Sequence, residues 1–376
     1  MENTLANTLP PTKSFIREKK IFGPLADYQN CGLTVDFPAP FGLLSLRANS
    51  FSMPASITTD IERAAAVLRA GGLVAIPTET VYGLAGNAMN EGAVTGIFAA
   101  KNRPSFDPLI IHQSSPDRIL AYASEVPPDA EALAGAYWPG PLTLVLPKKP
   151  AVSDLVSAGL PTVALRVPAH PLTRELLRRL DFPLAAPSAN PFGFVSPVTA
   201  QHVADQLADK IDLILDGGPC RVGLESTIVG FPDGKATILR KGGLPVEDIE
   251  STLGHPVAVQ THSSSKPLAP GMLSRHYSPG VRMTILEKTC TADQLAAMDA
   301  VIVFAEKKKP ETSDGGTSPV YYDLSPSGDL AEAARQLFPT LRKIGQQQYD
   351  QVGVFLLPER GLGRAINDRL RRAAAT

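Results

Sequence analysis

The sequence predicts an α/β fold in two parts. Three observations carry the prediction. Short apolar runs ending at Pro, His or Gly alternate with helical patterns between residues 59 and 254; the composition turns to Ser, Pro, His and Gly from 255 to 280; a second strand and helix alternation fills 281–376. A chain of 376 residues exceeds one ordinary core, so two domains are expected, and a 44% hydrophobic content suits dense packing. The expected organisation is a poorly ordered extension or overcalled start at 1–52, an α/β domain at 53–254, a linker at 255–280 and a smaller α/β domain at 281–376.

Residues 1–52 show no sustained period, and the cluster Lys13, Arg17, Lys19 and Lys20 lacks the apolar segment of a signal peptide. Met53 stands just before the first clear element. Thr59 and Glu62 have capping-box spacing, Ile61, Ala64, Ala65 and Leu68 share a helical face, and Gly71 and Gly72 end that helix. LVAIP reads as a strand, AVTGIFAAK (93–101) as a helix and PLIIH (108–112) as a strand. PLTLVLP, TVALRVP and DLILDGG are expected strands, and PLTRELLRRL and VTAQHVADQLADKI expected helices. Residues 225–242 predict a hairpin around Asp233-Gly234. Beyond the linker, VRMTILE, AVIVFAE and QVGVFLLP read as strands, with helices in GDLAEAARQLFPTLRKI and GRAINDRLRRAAA.

Thirty-six basic and 37 acidic side chains leave a net charge of −1, so any polyanion site must be local. Cys31, Cys220 and Cys290 are isolated and odd in number, which suits a reduced cytosolic protein. No apolar run reaches the ~20 residues of a membrane span. No GxxxxGK[ST] loop, no GxGxxG after a strand, no Ser/His/Asp set and no metal-ligand spacing occur.

The residues with chemical promise lie where apolar runs end. AIPTETVYGLAGNAM (75–89) leaves a strand at a proline and offers Thr78, Glu79, Thr80 and Tyr82, with Gly83 and Gly86 permitting close backbone approach. In KNRPSFDPLIIH, Lys101 ends a helix and Arg103 is held extended by Pro104, a corner suited either to phosphate oxygens or to capping the helix C-terminus. His112 ends a strand, where a histidine is more often a structural donor. Alternation in TVALRVP sets Arg166 beside Thr162 and Ala164, which calls for an anion or carboxylate partner if the strand is covered and for none if it is a solvent-facing edge. Ser188 and Asn190 of PSAN precede a helical stretch and read as a turn or an anion-holding loop. Ser226 opens one hairpin strand and Arg240 closes its partner, so both fall toward one end of the sheet.

Taken together, PTETVYGL, KNRP with PLIIH, WPGPLTLVLP, LRVP, PSAN with SPVT, and LESTIVG closely resemble the Sua5/YrdC family of L-threonylcarbamoyladenylate synthases over residues 57–250. PGM..RHYSP and PERGLGRAINDRL resemble the longer, Sua5-type members. The resemblance implies a YrdC-like twisted mixed sheet with flanking helices at 53–254, plus a smaller C-terminal Rossmann-like α/β domain. It implies a nucleotidyltransferase that makes threonylcarbamoyl-AMP and pyrophosphate from L-threonine, bicarbonate or CO2 and ATP with Mg2+. The product feeds t6A modification through a transferase machinery acting on tRNA, in the cytoplasm and without a membrane; direct tRNA binding is left open. Carried over by motif, the threonine ligands are Thr80, His112, Arg166, Ser188 and Ser226. The ATP ligands are Lys101, Arg103, Thr162, Asn190, Ser196, Arg240 and Tyr277, with Lys101 and Arg103 catalytic and the metal ligands unassigned. Asp107 stands where the family commonly has Asn, and Gly96 where many members carry a basic residue. Competing readings are a double-stranded RNA-binding module without synthase activity, and carbamoyl transfer in hydrogenase maturation, for which the zinc-finger cysteines are missing.

Overall fold

The computed structural model describes residues 54–260, 268–272, 276–305 and 318–375, so the reading of 1–52 and parts of the linker lie outside the described residues. The first part runs β1 (Ser56–Thr58), α1 (Ile61–Arg69), β2 (Val74–Ile76), β3 (Gly83–Asn87), α2 (Glu91–Lys101), β4 (Ile110–His112), α3 (Pro116–Leu120) and α4 (Pro128–Tyr137). It continues with β5 (Leu142–Pro147), α5 (Asp154–Ser157), β6 (Thr162–Arg166), α6 (Pro171–Arg178), β7 (Leu184–Ala185), α7 (Ala200–Leu207) and β8 (Leu213–Leu215). The hairpin strands β9 (Thr227–Gly230) and β10 (Thr237–Arg240), α8 (Val246–Leu253) and β11 (Ala258–Val259) complete it. Then follow β12 (Arg282–Leu286), α9 (Ala292–Ala296), β13 (Ala300–Val303), β14 (Val320–Asp323), α10 (Leu330–Gly345), β15 (Gln351–Phe355) and α11 (Leu362–Ala374).

Among the described residues, eleven strands form one mixed sheet in the order β1-β8-β2-β3-β7-β4-β6-β5-β9-β10-β11, and four parallel strands form a second in the order β12-β15-β13-β14. The expected α/β class is met. β6 lies inside the first sheet, parallel to β4 and antiparallel to β5, which excludes the solvent-facing edge for Arg166. Its register sets His112 of β4 opposite Arg166.

Several local readings are corrected. The N-cap of α1 is Asp60, whose carboxylate accepts from Arg63 N at 3.0 Å, in place of the Thr59–Glu62 box; Asp competes well for that position. GLAGN forms β3, which the glycines and absent β-branching disguise, and VYYD forms β14. Ala258 and Val259, in the Ser- and Pro-rich stretch, pair with β10.

A single apolar cluster joins both sheets. Val195, Val203 and Leu224 of the first part meet Phe338, Leu341, Ile366 and Leu370 of α10 and α11. Arg342 of α10 donates to Val195 O at 2.6 Å and Gln206 Oε1 at 2.9 Å, and a Cβ on Gly223 would lie 2.6 Å from Ala334 O. These helices therefore close directly over the wall that carries Ser196 and Glu225.

Candidate functional site

A cavity opens where PTET, the β4 and β6 ends, PSAN, the hairpin and the chain around 270–277 converge. Arg103, His112, Arg166, Ser188, Ser226, Arg240 and Tyr277 line it, together with Thr78, Glu225, Pro270, Gly271 and His276. Its volume is about 50 Å³. Residues predicted from five separated motifs thus share one space.

Arg166 is buried and bonds Glu79 Oε1 at 2.6 Å and Thr80 Oγ1 at 2.9 Å, while Glu79 Oε2 accepts from Ala169 N at 2.9 Å. The carboxylate of Glu79 is therefore the structural acceptor that aims Arg166. Thr78 closes the turn: its hydroxyl donates to Val81 O, accepts from the Val81 amide at 3.2 Å and meets Thr80 Oγ1 at 2.7 Å. Tyr82 turns into the core and donates to Gly218 O at 2.8 Å, so it belongs to the packing and not to the cavity wall.

Lys101 is buried at the end of α2, and its ammonium donates to Ser188 O and Asn190 O. It thereby fixes the PSAN loop beside the cavity. Burial lowers its pKa well below the lysine range and Arg103 adds to the shift. Arg103 pairs with Asp107 at 2.9 Å and donates to Pro108 O at 2.9 Å. Asp107 is thus the internal counter-ion of Arg103. Burial raises the Asp107 pKa against the pull of Arg103, Lys101 and Arg240, and its Oδ1 has no partner among the described residues.

The remaining wall comes from the hairpin. Arg240 donates to Ser226 O at 2.9 Å, to Ser226 Oγ at 3.1 Å and to Pro270 O at 3.2 Å. Thr143 Oγ1 lies 2.7 Å from Ser226 Oγ, and Ser196 donates to Glu225 Oε1 at 2.6 Å. A Cβ on Gly242 would stand 2.4 Å from Glu225 O, so Gly242→Ala should push the two hairpin strands apart and cost about 1–3 kcal/mol. Urea unfolding of that variant measures the cost, and a change below about 0.5 kcal/mol would refute the contact.

Five carried-over residues, Thr80, Lys101, Thr162, Asn190 and Ser196, do not line the cavity. Thr162 lies opposite Pro147 at the start of β6, and the Asn190 amide donates to Pro191 O at 2.8 Å and Phe194 O at 2.9 Å within its own loop. Glu225, His276 and the α11 arginines carry no chemical pattern of their own in the sequence. Glu225 adjoins Ser226 in LESTIVG and His276 adjoins Tyr277 in RHY, while Arg369 breaks the apolar face of the last helix; that break was the readable signal.

Burial lowers the pKa of His112 to about 3, with Arg166 adding, and lowers His276 to about 3 with help from Arg372, Lys101 and Arg103 against Glu225. Both imidazoles are neutral in the folded protein, whereas the unfolded chain binds protons below about pH 6.5. Folding stability therefore falls as pH drops from about 6.5 toward 3, by up to ~1.4 kcal/mol per pH unit for each histidine. His112→Asn should flatten the dependence of the urea-unfolding free energy between about pH 6 and 5 by nearly that slope. An unchanged slope would contradict a neutral buried His112.

This fold and its buried, arginine-lined cavity are those of an α/β protein with a site suited by charge to a small anionic group. A family model described as "Telomere recombination" (Sua5_yciO_yrdC) matches residues 66–242, and one described as "Threonylcarbamoyl-AMP synthase, C-terminal domain" (Sua5_C) matches 244–375. The chain is 42% identical over 319 residues to a curated threonylcarbamoyl-AMP synthase of Pyrococcus abyssi, covering 84% of this chain and 94% of the relative. It is 39% identical to the Bacillus subtilis protein of the same name, covering 84% of this chain and 92% of the relative. The solved structure described as P. abyssi Sua5 complexed with L-threonine superposes with a TM-score of 0.76 at 38% identity, covering 84% of this chain and 94% of that one. The chain belongs to the Sua5/YrdC family, in its two-part Sua5 form.

Proposed function

We propose that this protein is a threonylcarbamoyl-AMP synthase that joins L-threonine, bicarbonate or CO2 and ATP, releasing pyrophosphate. The observation that carries the reading is the buried Arg166–Glu79 pair facing the cavity with His112, in a chain 42% identical to a curated synthase. Arg166 offers its charge and its Nη1 hydrogens to the threonine carboxylate, its Nη2 and Nε being engaged by Glu79, Thr80 and Gly140 O, with His112, Ser188 and Ser226 around it. The amine captures CO2 as a carbamate, whose oxygen attacks the α-phosphorus as pyrophosphate leaves. Positioning and charge stabilisation suffice, without a protein nucleophile.

Lys101 and Arg103 are the catalytic cations, and Arg240 and Tyr277 on the cavity wall hold ATP with Ser196; the family resemblance adds Thr162 and Asn190, which lie outside the cavity as it stands. About 50 Å³ falls far short of the ~300 Å³ or more of a ligand pocket, so the chain at Pro270, Gly271, His276 and Tyr277 must shift to admit the nucleotide. Mg2+ fits as the companion of the phosphates. Both oxygens of Glu79 and of Glu225 are engaged, whereas among the described residues Asp107 Oδ1 and Asn190 Oδ1 have no partner and would be the oxygens to hold the ion, which would neutralise phosphate charge.

The product would pass to a threonylcarbamoyl-transferase machinery acting on tRNA, in the cytoplasm; among the described residues no helix is long and apolar enough to cross a membrane. Arg103, Arg166 and Arg240 face a cavity and not an open surface, which favours a small substrate over duplex RNA. The test is mass spectrometry of the product formed with carbon-13 bicarbonate. An adenylate heavier by one mass unit, formed only with threonine, is expected; adenylate without the label would overturn the route.

A further inference from the structure

We propose that Arg369, on the C-terminal helix α11, is a positioning residue of the nucleotide side of the cavity and acts through Glu225. The proposal rests on the synthase reading and adds a task for the C-terminal part of the chain. Glu225 lines the cavity, and its two oxygens are divided between Ser196 Oγ at 2.6 Å and Arg369, which donates from Nε at 3.2 Å and Nη2 at 2.9 Å. Arg369 is completely buried, and its Nη1 donates to Lys241 O and to Asp368 Oδ2 at 3.1 Å.

A carboxylate in the wall of a polyphosphate site is a liability by charge. Burial pushes the Glu225 pKa up, yet Arg369, Arg240 and the Ser196 hydroxyl outweigh it and hold the carboxyl at about 2. The anion is therefore permanent at any physiological pH. Arg369 neutralises it from behind and keeps it turned toward Ser196, while Arg240 donates to Ser226 O and Pro270 O and faces the cavity. Removing Arg369 would take away the largest compensation of the Glu225 anion and leave Arg240 divided between it and the phosphates.

The same helix reaches the chain that covers the cavity. Arg372 donates to Gly271 O, Asp368 pairs with both arginines, and the Arg369 guanidinium lies 5.5 Å from the Tyr277 ring centroid. Tyr277 in turn stacks on Phe338 of α10 at 5.6 Å. One polar chain thus runs from Ser196 through Glu225, Arg369, Asp368 and Arg372 to Gly271.

The experiment compares the full-length protein with Arg369→Met, Glu225→Gln and the double variant, reading KM for ATP and for threonine and, separately, ATP binding by calorimetry. Arg369→Met should raise the ATP KM about tenfold and leave the threonine KM within about twofold. Adding Glu225→Gln should restore at least about threefold of that loss, because the repelling charge is gone. A purely structural arginine would lower the active fraction without splitting the two KM values. Equal changes in both KM values, or additive losses in the double variant, would overturn the proposal. If Arg369→Met fails to fold, Arg369→Lys carries the test: a higher ATP KM at constant threonine KM is expected, and an unchanged ATP KM overturns it. If the parent protein forms no adenylate, the synthase reading fails by itself, and the ATP affinities still judge Arg369.

Discussion

Arg166→Ala should raise the threonine KM by about two orders of magnitude while the ATP KM moves less than about threefold. The guanidinium is buried, held at 2.6 Å by Glu79 and 2.9 Å by Thr80, and aimed into the cavity without freedom to relax. Losing a charge-assisted partner of a carboxylate removes ~1.5–3 kcal/mol, and the vacated space admits water instead of substrate. The truncation also strands Glu79, so the melting temperature should drop; an unpaired buried charge costs ~3–5 kcal/mol. Arg166→Lys separates the two effects, since it keeps a charge near Glu79 and loses the Nη1 donor that faces the substrate. A larger rise in ATP KM than in threonine KM would overturn the assignment of Arg166.

Lys101→Met should lower the rate of adenylate formation about 100-fold or more. The ammonium bridges Ser188 O and Asn190 O, so its loss removes the proposed catalytic cation and frees the loop carrying Ser188 and Asn190. Asn190 O, left without that donor, costs ~1–3 kcal/mol if it stays buried, while Ser188 O keeps the Asn190 amide at 3.0 Å. Single-turnover pyrophosphate release reads the rate, and thermal melting reads the loop. A variant that loses stability yet keeps its single-turnover rate would reduce Lys101 to a loop anchor.

Much of this was legible in the sequence because it depends on local pattern. Strand runs ending in polar residues marked PTET, PLIIH and LRVP, and the hairpin around Asp233-Gly234 formed as expected, with Arg240 opposite Ile228. GLAGN was not legible as a strand, since small residues carry no period that a pattern can show. Nor could sequence alone decide between a covered and an exposed Arg166, which depends on β4 and β5 flanking β6. The harder part was long range. Glu225 meets Arg369 across 144 positions, and Arg372 reaches Gly271 across 101, contacts that no local spacing encodes. An arginine set into the apolar face of α11 was the single hint of them.

In the proposed reaction all three substrates meet in one site before the α-phosphorus is attacked. The most direct measurement is pyrophosphate release from ATP with threonine and bicarbonate supplied separately and together. Release only when both are present is the predicted result. Equal release without either one, by protein that has kept its fold, would contradict the account.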